Sequence, residues 1–450
     1  MAEAKFLKGN LFRHVTVMSL TASLGLMAVF LVDFVDMIFI SMLGKSELAA
    51  AVGYAGAILF FNVSFGIGLA IAAGALVARA LGADDDELAR ERTTHAMAFG
   101  FVFAVIFAAA IWVSLEYLVE LLGATGETVP LAVHFLQIIV PTTPLLIVGM
   151  MGGAVLRAHG DARRAMLPTI MGGVVNAVLD PILIFGFDLE LTGAAIASVC
   201  ARFVIFGMAI WPIWRIYGGI VRPKLRGLVR DLSPILSIAF PAILAQIATP
   251  VGQAYVTREM AAYGEEAVAG LAIVGRLVPV AFGVIFALSG AVGPIIGQNY
   301  GAKNMDRVRG GFRAAIIFVA IVIVLVSVIL FLARGAIADL FGAYGLTRDL
   351  IYLFCGPLAL AFFFPGVLFV ANAAFNNLGH PFFSTFTNWG RNAIALIPLV
   401  WLGSVLFGAP GVLIGQSLAG VVFGVVAWVM ASRVMSQGPN QPAVKPEIFG

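Results

Sequence analysis

The sequence predicts an all-α integral membrane protein: twelve transmembrane helices in two six-helix lobes, related by a pseudo-twofold axis along the membrane normal. Three observations predict it. Hydrophobic residues make up 61% of the 450 and charged residues only 11%, with a mean hydropathy of +1.03, whereas soluble domains carry about 25% charged residues. Twelve apolar runs are each long enough for the roughly 20 residues that a span requires. Their pattern recurs halfway along the chain.

In order, the runs fall at about 13–42, 48–80, 92–122, 129–156, 164–187, 191–216, 232–262, 265–300, 306–341, 347–376, 381–407 and 409–434, separated by charges or Gly/Pro clusters. The first follows Lys5, Lys8 and Arg13 and is too long for a signal-peptide core, so it is read as a retained helix. Before the third, "DDDE" at 84–87 precedes the amphipathic "LARERTTHA"; acids suit a helix N-terminus, so this is a solvated helix start and not a metal site. "MMGG" in the fourth run and "MGGVVN" in the fifth supply small residues for close helix packing. A basic stretch near 215–231 separates the sixth run from the seventh. These boundaries give an N-terminal lobe at 1–218, a linker at 219–231, a C-terminal lobe at 232–435 and a disordered tail at 436–450.

Lys and Arg accumulate in cytoplasmic loops. The N-terminus and alternate loops carry Arg79, Arg90 and Arg92, then Arg157, Arg163 and Arg164, then Arg222, Lys224, Arg226 and Arg230, then Lys303, Arg307, Arg309 and Arg313; the intervening loops carry mainly Lys45, Arg258, Arg334 and Arg348. Both termini are therefore expected in the cytoplasm. The net charge of +3 reflects this asymmetry and needs no nucleic-acid partner. Cys200 and Cys355 sit in apolar runs and read as buried thiols.

The repeat is seen by setting "RALGADDDELARER" (79–92) over "QNYGAKNMDRVRGG" (298–311), "LRAHG" over "FNNLG", and "LTGAAIAS" over "APGVLIGQ". Gly82 falls on Gly301, Gly160 on Gly379 and Gly193 on Gly411, at an offset near 219. Six spans per half is an even number, so both halves enter from the same side. That is the parallel-repeat arrangement of many secondary transporters.

Against this apolar background Asp33 and Asp36 stand out in "LVDFVDMIFIS". A charge at the centre of a membrane helix costs roughly 2.5–3.5 kcal/mol even on insertion scales. In the fifth run, Asn176 and Asp180 of "NAVLDPILIF" stand four apart and share a helix face. Pro181 frees the carbonyl of Ala177, because it lacks the N–H that would bond it. Two polar faces in one half can meet in a cavity, where a carboxylate beside a free carbonyl suits a proton, water or a cation.

"VDMIFISMLG" resembles the first-helix motif of the multidrug and toxic compound extrusion (MATE) family, usually VDTIFVGxLG. The resemblance extends through "LGADDDELAR", "NAVLDPILIFGF", the arginine of "AGLAIVGRL" and "GQNYGAKN", and so covers essentially the whole chain. It implies an antiporter of the inner membrane that exports amphipathic, cationic organic compounds in exchange for inward H⁺ or Na⁺, by alternating access. In DinF-like and archaeal members the coupling site lies in the N-terminal lobe, which here implies Asp36, Asn176, Asp180 and Ser198 of "AAIASVCARF".

Departures from the family are informative. Positions where the NorM-like branch has a seventh-helix glutamate and a tenth-helix aspartate are Thr249 and Val367, which argues for the DinF-like branch. A first-helix proline common in the family is Thr21 here, leaving Gly25 and its Ser/Thr neighbours as the available hinge. The family more often shows Asn at the position of Asp33.

Phe60 and Phe61 and the uncharged Asn372 and Asn376 are further candidates for lining a substrate cavity with Asp33 and Ala177. Arg202, Arg276 and Arg391 read as packing or snorkelling groups. The five histidines lack ligand spacing, so no metal is expected unless Na⁺ binds at Asp36, Asn176, Asp180 and Ser198. No cofactor is called for, and no matched nucleophile and base suggests an enzyme. The expected partners are small organic substrates, H⁺ or Na⁺ and membrane lipid, for a monomer. The runner-up reading is a lipid-linked precursor flippase of the same superfamily, disfavoured by the twelve spans and the carboxylate pair.

Overall fold

A computed structural model describes residues 4–43 and 45–437, without the side chains of Asp33, Met37, Ser41 and Ser46. Asp33 as a cavity group therefore lies outside the described residues, as does the tail from 438 onward. All regular structure among the described residues is helical. The membrane-length helices are α1 (Leu11–Met42), α2 (Ser46–Gly82), α3 (Asp86–Val113), α4 (Thr128–Ala158), α5 (Ala162–Gly186), α6 (Glu190–Arg215), α7 (Leu225–Ala261), α8 (Glu265–Gly301) and α9 (Met305–Leu340). A pair bent by 44°, Gly345–Ala361 and Phe363–Leu378, forms α10. The remaining helical stretch, Pro381–Ser436, holds 56 residues, roughly 84 Å of helix against a hydrocarbon core of about 30 Å. It breaks at Gly408, whose φ of 64° suits glycine, and so supplies two crossings, α11 (381–407) and α12 (409–436). Twelve crossings result.

Two compact units emerge from the packing: Leu24–Ile243 with Ala4 (unit 1), and Lys5–Ser23 with the chain from Leu244 onward (unit 2). They differ from the lobe boundaries drawn at the basic linker, because the first parts of α1 and α7 change allegiance. The start of α7 joins unit 1 through α2: a Cβ added to Gly68 would lie 3.0 Å from Ala239 O and Ile243 N. The short turn Lys5–Leu7 joins unit 2 through α8.

The repeat glycines have identifiable work. Gly160 (φ 74°) and Gly379 (φ 89°) turn the chain after α4 and α10, in the left-handed region that costs other residues strain. Gly193 lets α6 approach the backbone of Leu183, where a Cβ would stand at 2.7 Å. Gly411 faces Gly403 backbone to backbone, closing α12 on α11. The turns entering α3 and α9 also match: Asp84 and Lys303 have φ of 59° and 56°. Asp85 accepts from Leu88 N at 2.9 Å and Asn304 from Arg307 N at 3.1 Å, so both helices carry a side-chain N-cap. "DDDE" is thus a helix start, as its charge pattern suggests. Both thiols are free, Cys355 buried and Cys200 partly so.

Candidate functional site

On α1, Leu20, Leu24, Leu31, Phe34 and Ile38 are exposed and recur at helical spacing, so they form one face. Asp36 follows Phe34 by two residues and points to the other side. That side packs on α5 with little clearance: a Cβ added to Gly173 would lie 2.9 Å from Val32, and one added to Gly25 would lie 3.5 Å from Met166. The close approach brings Asp36 to the face of α5 that carries Asn176 and Asp180.

One amide joins all three. Asn176 Nδ2 donates to both oxygens of Asp36, at 3.0 and 3.1 Å, and to Asp180 Oδ2 at 2.7 Å. Asn176 is 5% exposed and Asp180 0%; Asp180 Oδ1 is buried without a hydrogen-bond partner. An amide nitrogen has only two hydrogens, so three carboxylate oxygens compete for them. The group is short of donors, and a buried unpaired carboxylate oxygen is costly. A proton or a cation on the pair would supply what the protein does not. Just beyond, Pro181 ends the α-helical part of α5 and a π-helical turn, Ile182–Gly186, completes it; such turns recur at functional sites.

The other expected site residues are placed as follows. Ala177 is partly buried beside Asn176 on α5. Ser198 is partly buried on α6 and makes no hydrogen bond to the three. Phe60 and Phe61 are exposed on α2, edge to face at 6.5 Å. Asn372 and Asn376 belong to unit 2, where Thr387 Oγ1 donates to Asn372 Oδ1 at 3.3 Å and Ser384 Oγ to Asn376 Oδ1 at 3.1 Å. Val367 is buried in the core and Thr249 is exposed.

Two polar clusters were not foreseen. In unit 1, His95 Nδ1 lies 2.6 Å from Asp231 Oδ2, and both residues are almost fully buried. Arg230 bonds Asp231 at 2.9 Å and Glu91 at 3.0 Å, while Thr94 Oγ1 donates to Gly219 O and accepts from Val221 N. The linker and the first turns of α7 are thereby clasped to α3. In unit 2, Gln298 Oε1 accepts from Phe6 N at 2.8 Å, and Asn299 Nδ2 and Arg307 Nη2 donate to Phe6 O. The residues of "GQNYGAKN" therefore hold the segment before α1. The quoted motif was the only signal in the sequence; its partner lies nearly 300 residues away.

Twelve apolar helices built from two copies of one repeat, with carboxylates gathered at membrane depth in one of them, are the architecture of a secondary transporter. The chain belongs to the MatE family, whose pattern matches it twice, over residues 22–182 and 241–402. The two matches start 219 residues apart, the offset of the internal repeat. It is thus a multi-pass membrane transporter and not an enzyme. It is 26% identical over 431 residues to a FAD transporter of Shewanella oneidensis, covering 93% of each chain. To the multidrug export protein MepA of Staphylococcus aureus it is 24% identical over 439 residues, covering 95% of this chain and 96% of the other. The fold matches a MATE transporter of Vibrio cholerae with a TM-score of 0.90 at 24% identity, covering 95% and 97% of the two chains. It matches a MOP-superfamily transporter of Pyrococcus furiosus with a TM-score of 0.89 at 22% identity, covering 98% and 99%.

Proposed function

We propose that this transporter is an antiporter of the DinF-like type, exporting amphipathic organic compounds, cations among them, in exchange for inward H⁺ across a prokaryotic inner membrane. Both termini lie in the cytoplasm and the monomer is the working unit. Coupling occurs at Asp36 and Asp180, with Asn176 between them. The observation that carries this reading is the donor shortage just described: one amide faces three carboxylate oxygens, and a fourth, Asp180 Oδ1, is buried and unpaired. Protonation removes one charge from membrane depth and adds the missing donor in a single step. The protonated acid can then bond its neighbour, drawing α1 onto α5; the ionised pair separates the helices and attracts a cation. Na⁺ is the competing ion, since Asp36, Asn176, Asp180 and the Ala177 carbonyl offer several oxygens, with Ser198 of α6 as a further one. The relatives named above, a FAD transporter and a multidrug export protein, support small organic cargo.

The test is dye efflux from proteoliposomes carrying a pH gradient with no sodium on either side. Transport under these conditions is expected. No transport, with recovery when a sodium gradient is added, would replace the proton by Na⁺.

A further inference from the structure

Among the described residues the acids at membrane depth are confined to unit 1. Unit 1 holds the Asp36 and Asp180 carboxylates. In the described part of unit 2 the acids are Glu259, Glu265, Glu266, Asp306, Asp339 and Asp349, all close to helix ends. From 350 to 446 the sequence has no Asp or Glu at all. Within that stretch stands Arg391, near the middle of α11.

Arg391 faces the protein and not lipid. Phe382 and Phe386 are exposed and mark the outer face of α11; Ser384, Thr387, Asn388 and Arg391, at i, i+3, i+4 and i+7, lie opposite. Ser384, Thr387 and Asn388 are buried and Arg391 is partly buried. Its side chain reaches α12 close to where α12 meets α10: a Cβ added to Gly420 would lie 3.2 Å from Pro365 Cγ and 3.9 Å from Arg391 Nε. The residue sits in a π-helical turn, Gly390–Ala395, a distortion that recurs at functional sites.

What marks Arg391 is how it differs from Arg202. Both are arginines inside apolar helices, and by sequence alone both read as packing groups. Arg202 fits that reading, since its Nη1 donates to Ile139 O at 2.8 Å and to Thr142 Oγ1 at 3.1 Å. Arg391 has neither a carboxylate nor a carbonyl partner among the described residues. A guanidinium carries five donors and stays charged, so leaving it unpaired away from water is unfavourable. An oxyanion matches its fork in two parallel hydrogen bonds.

We propose that Arg391 is the anion-recognising group of a binding site within unit 2, which takes the carboxylate or phosphate of an organic compound with an apolar, aromatic body. Asn388, on the same face, keeps one amide hydrogen on Ser384 O at 2.8 Å and leaves a second for the anion. Phe363 and Phe364, in edge contact at 5.3 Å, precede Pro365 and offer the ring surface. The proposal goes beyond the coupling site and extends the substrate range to acidic compounds; it relies on the export reading only for the direction of movement.

Flavin mononucleotide and riboflavin share one ring system and differ by a phosphate, so they isolate the contact. Their binding to the purified protein in phosphatidylcholine vesicles can be followed by flavin fluorescence, with no ion gradient present. The mononucleotide is expected to bind roughly tenfold to a hundredfold tighter than riboflavin, the gain of one charged hydrogen-bonded contact. Arg391→Gln should abolish the difference, and Arg391→Lys should keep part of it, which separates recognition from misfolding. A headgroup carries the same oxyanion: if phosphatidylglycerol in the vesicles weakens mononucleotide binding to the wild type, and not riboflavin binding, the site is confirmed with lipid as an occupant. Equal affinity for the two flavins, or an undiminished preference in folded Arg391→Gln, overturns the proposal. Asp36→Asn should leave this binding intact while stopping efflux, so the two readings fail separately.

Discussion

Asn176 Nδ2 lies 3.0 Å from Asp36 Oδ1 and 2.7 Å from Asp180 Oδ2, so a single amide ties α1 to α5 by holding two carboxylates at once. Neither acid has a basic partner among the described residues. The link between the helices is therefore as strong as the protonation state of that group allows.

Asp36→Asn should abolish coupled dye efflux while leaving a folded protein, because it removes a charge from membrane depth and keeps a group that can hydrogen-bond. Efflux rate and the yield of monodisperse protein are measured together. Normal efflux from a well-expressed variant would falsify the coupling assignment.

Asn176→Ala should destabilise the protein by about 1–3 kcal/mol, because it strips both carboxylates of their shared donor. Asp180→Asn in the same chain should restore part of that loss by lowering the number of unpaired charges. A double-mutant cycle on thermal unfolding in detergent checks this; additive effects would mean that the two side chains act independently.

Outside the spans, Asp161 accepts from Arg164 N at 3.1 Å, Arg164 Nη1 at 2.7 Å and Tyr217 Oη at 2.8 Å. Burial pushes its carboxyl pKa up, but these donors more than offset that and hold it below the usual carboxylate value. Its contribution to stability is present above the unfolded value and is lost as pH falls through the lowered folded one. Tyr217 moves the other way, raised by burial and by its bond to Asp161 to about 12. Its contribution is full below the unfolded value of about 10 and disappears toward pH 12. The stability difference between wild type and Tyr217→Phe should stay constant from about pH 6 to 9 and shrink above pH 10. A difference that holds steady to pH 11 would show that the phenol is not protected.

Asp231→Ala should cost about 1–3 kcal/mol, since it removes the acceptor of the buried His95 and leaves Arg230 with Glu91 alone. Replacing His95 and Asp231 together by leucines should be milder. Thermal unfolding of the two variants beside the wild type decides it: a double variant less stable than Asp231→Ala would contradict the pairing.

Asp36, Asn176 and Asp180 were legible because each is a polar residue in an apolar run, and because a four-residue spacing fixes a helix face without reference to anything distant. The glycines of the repeat were legible for the same local reason. His95 and Asp231 were not: 136 positions separate them, and nothing in the helical periodicity of either neighbourhood specifies the other. Ser198 illustrates a different limit, since a motif places a hydroxyl on the right helix but not at hydrogen-bonding distance. Arg202 and Arg391 look alike in sequence; whether a carbonyl waits for each guanidinium depends on how neighbouring helices bend, which pattern alone does not encode.

The clasp on Phe6 sets a timetable for biogenesis. Phe6 O is bonded by Arg307, 301 residues later in the chain. At a synthesis rate of about 5–20 residues per second, roughly 15–60 seconds pass between the emergence of the two partners from the ribosome. Unit 2 thus receives the segment around Phe6 well before the rest of it is made. Throughout that interval the segment before α1 must be kept from competing partners, so α1 is among the last helices to be locked in place.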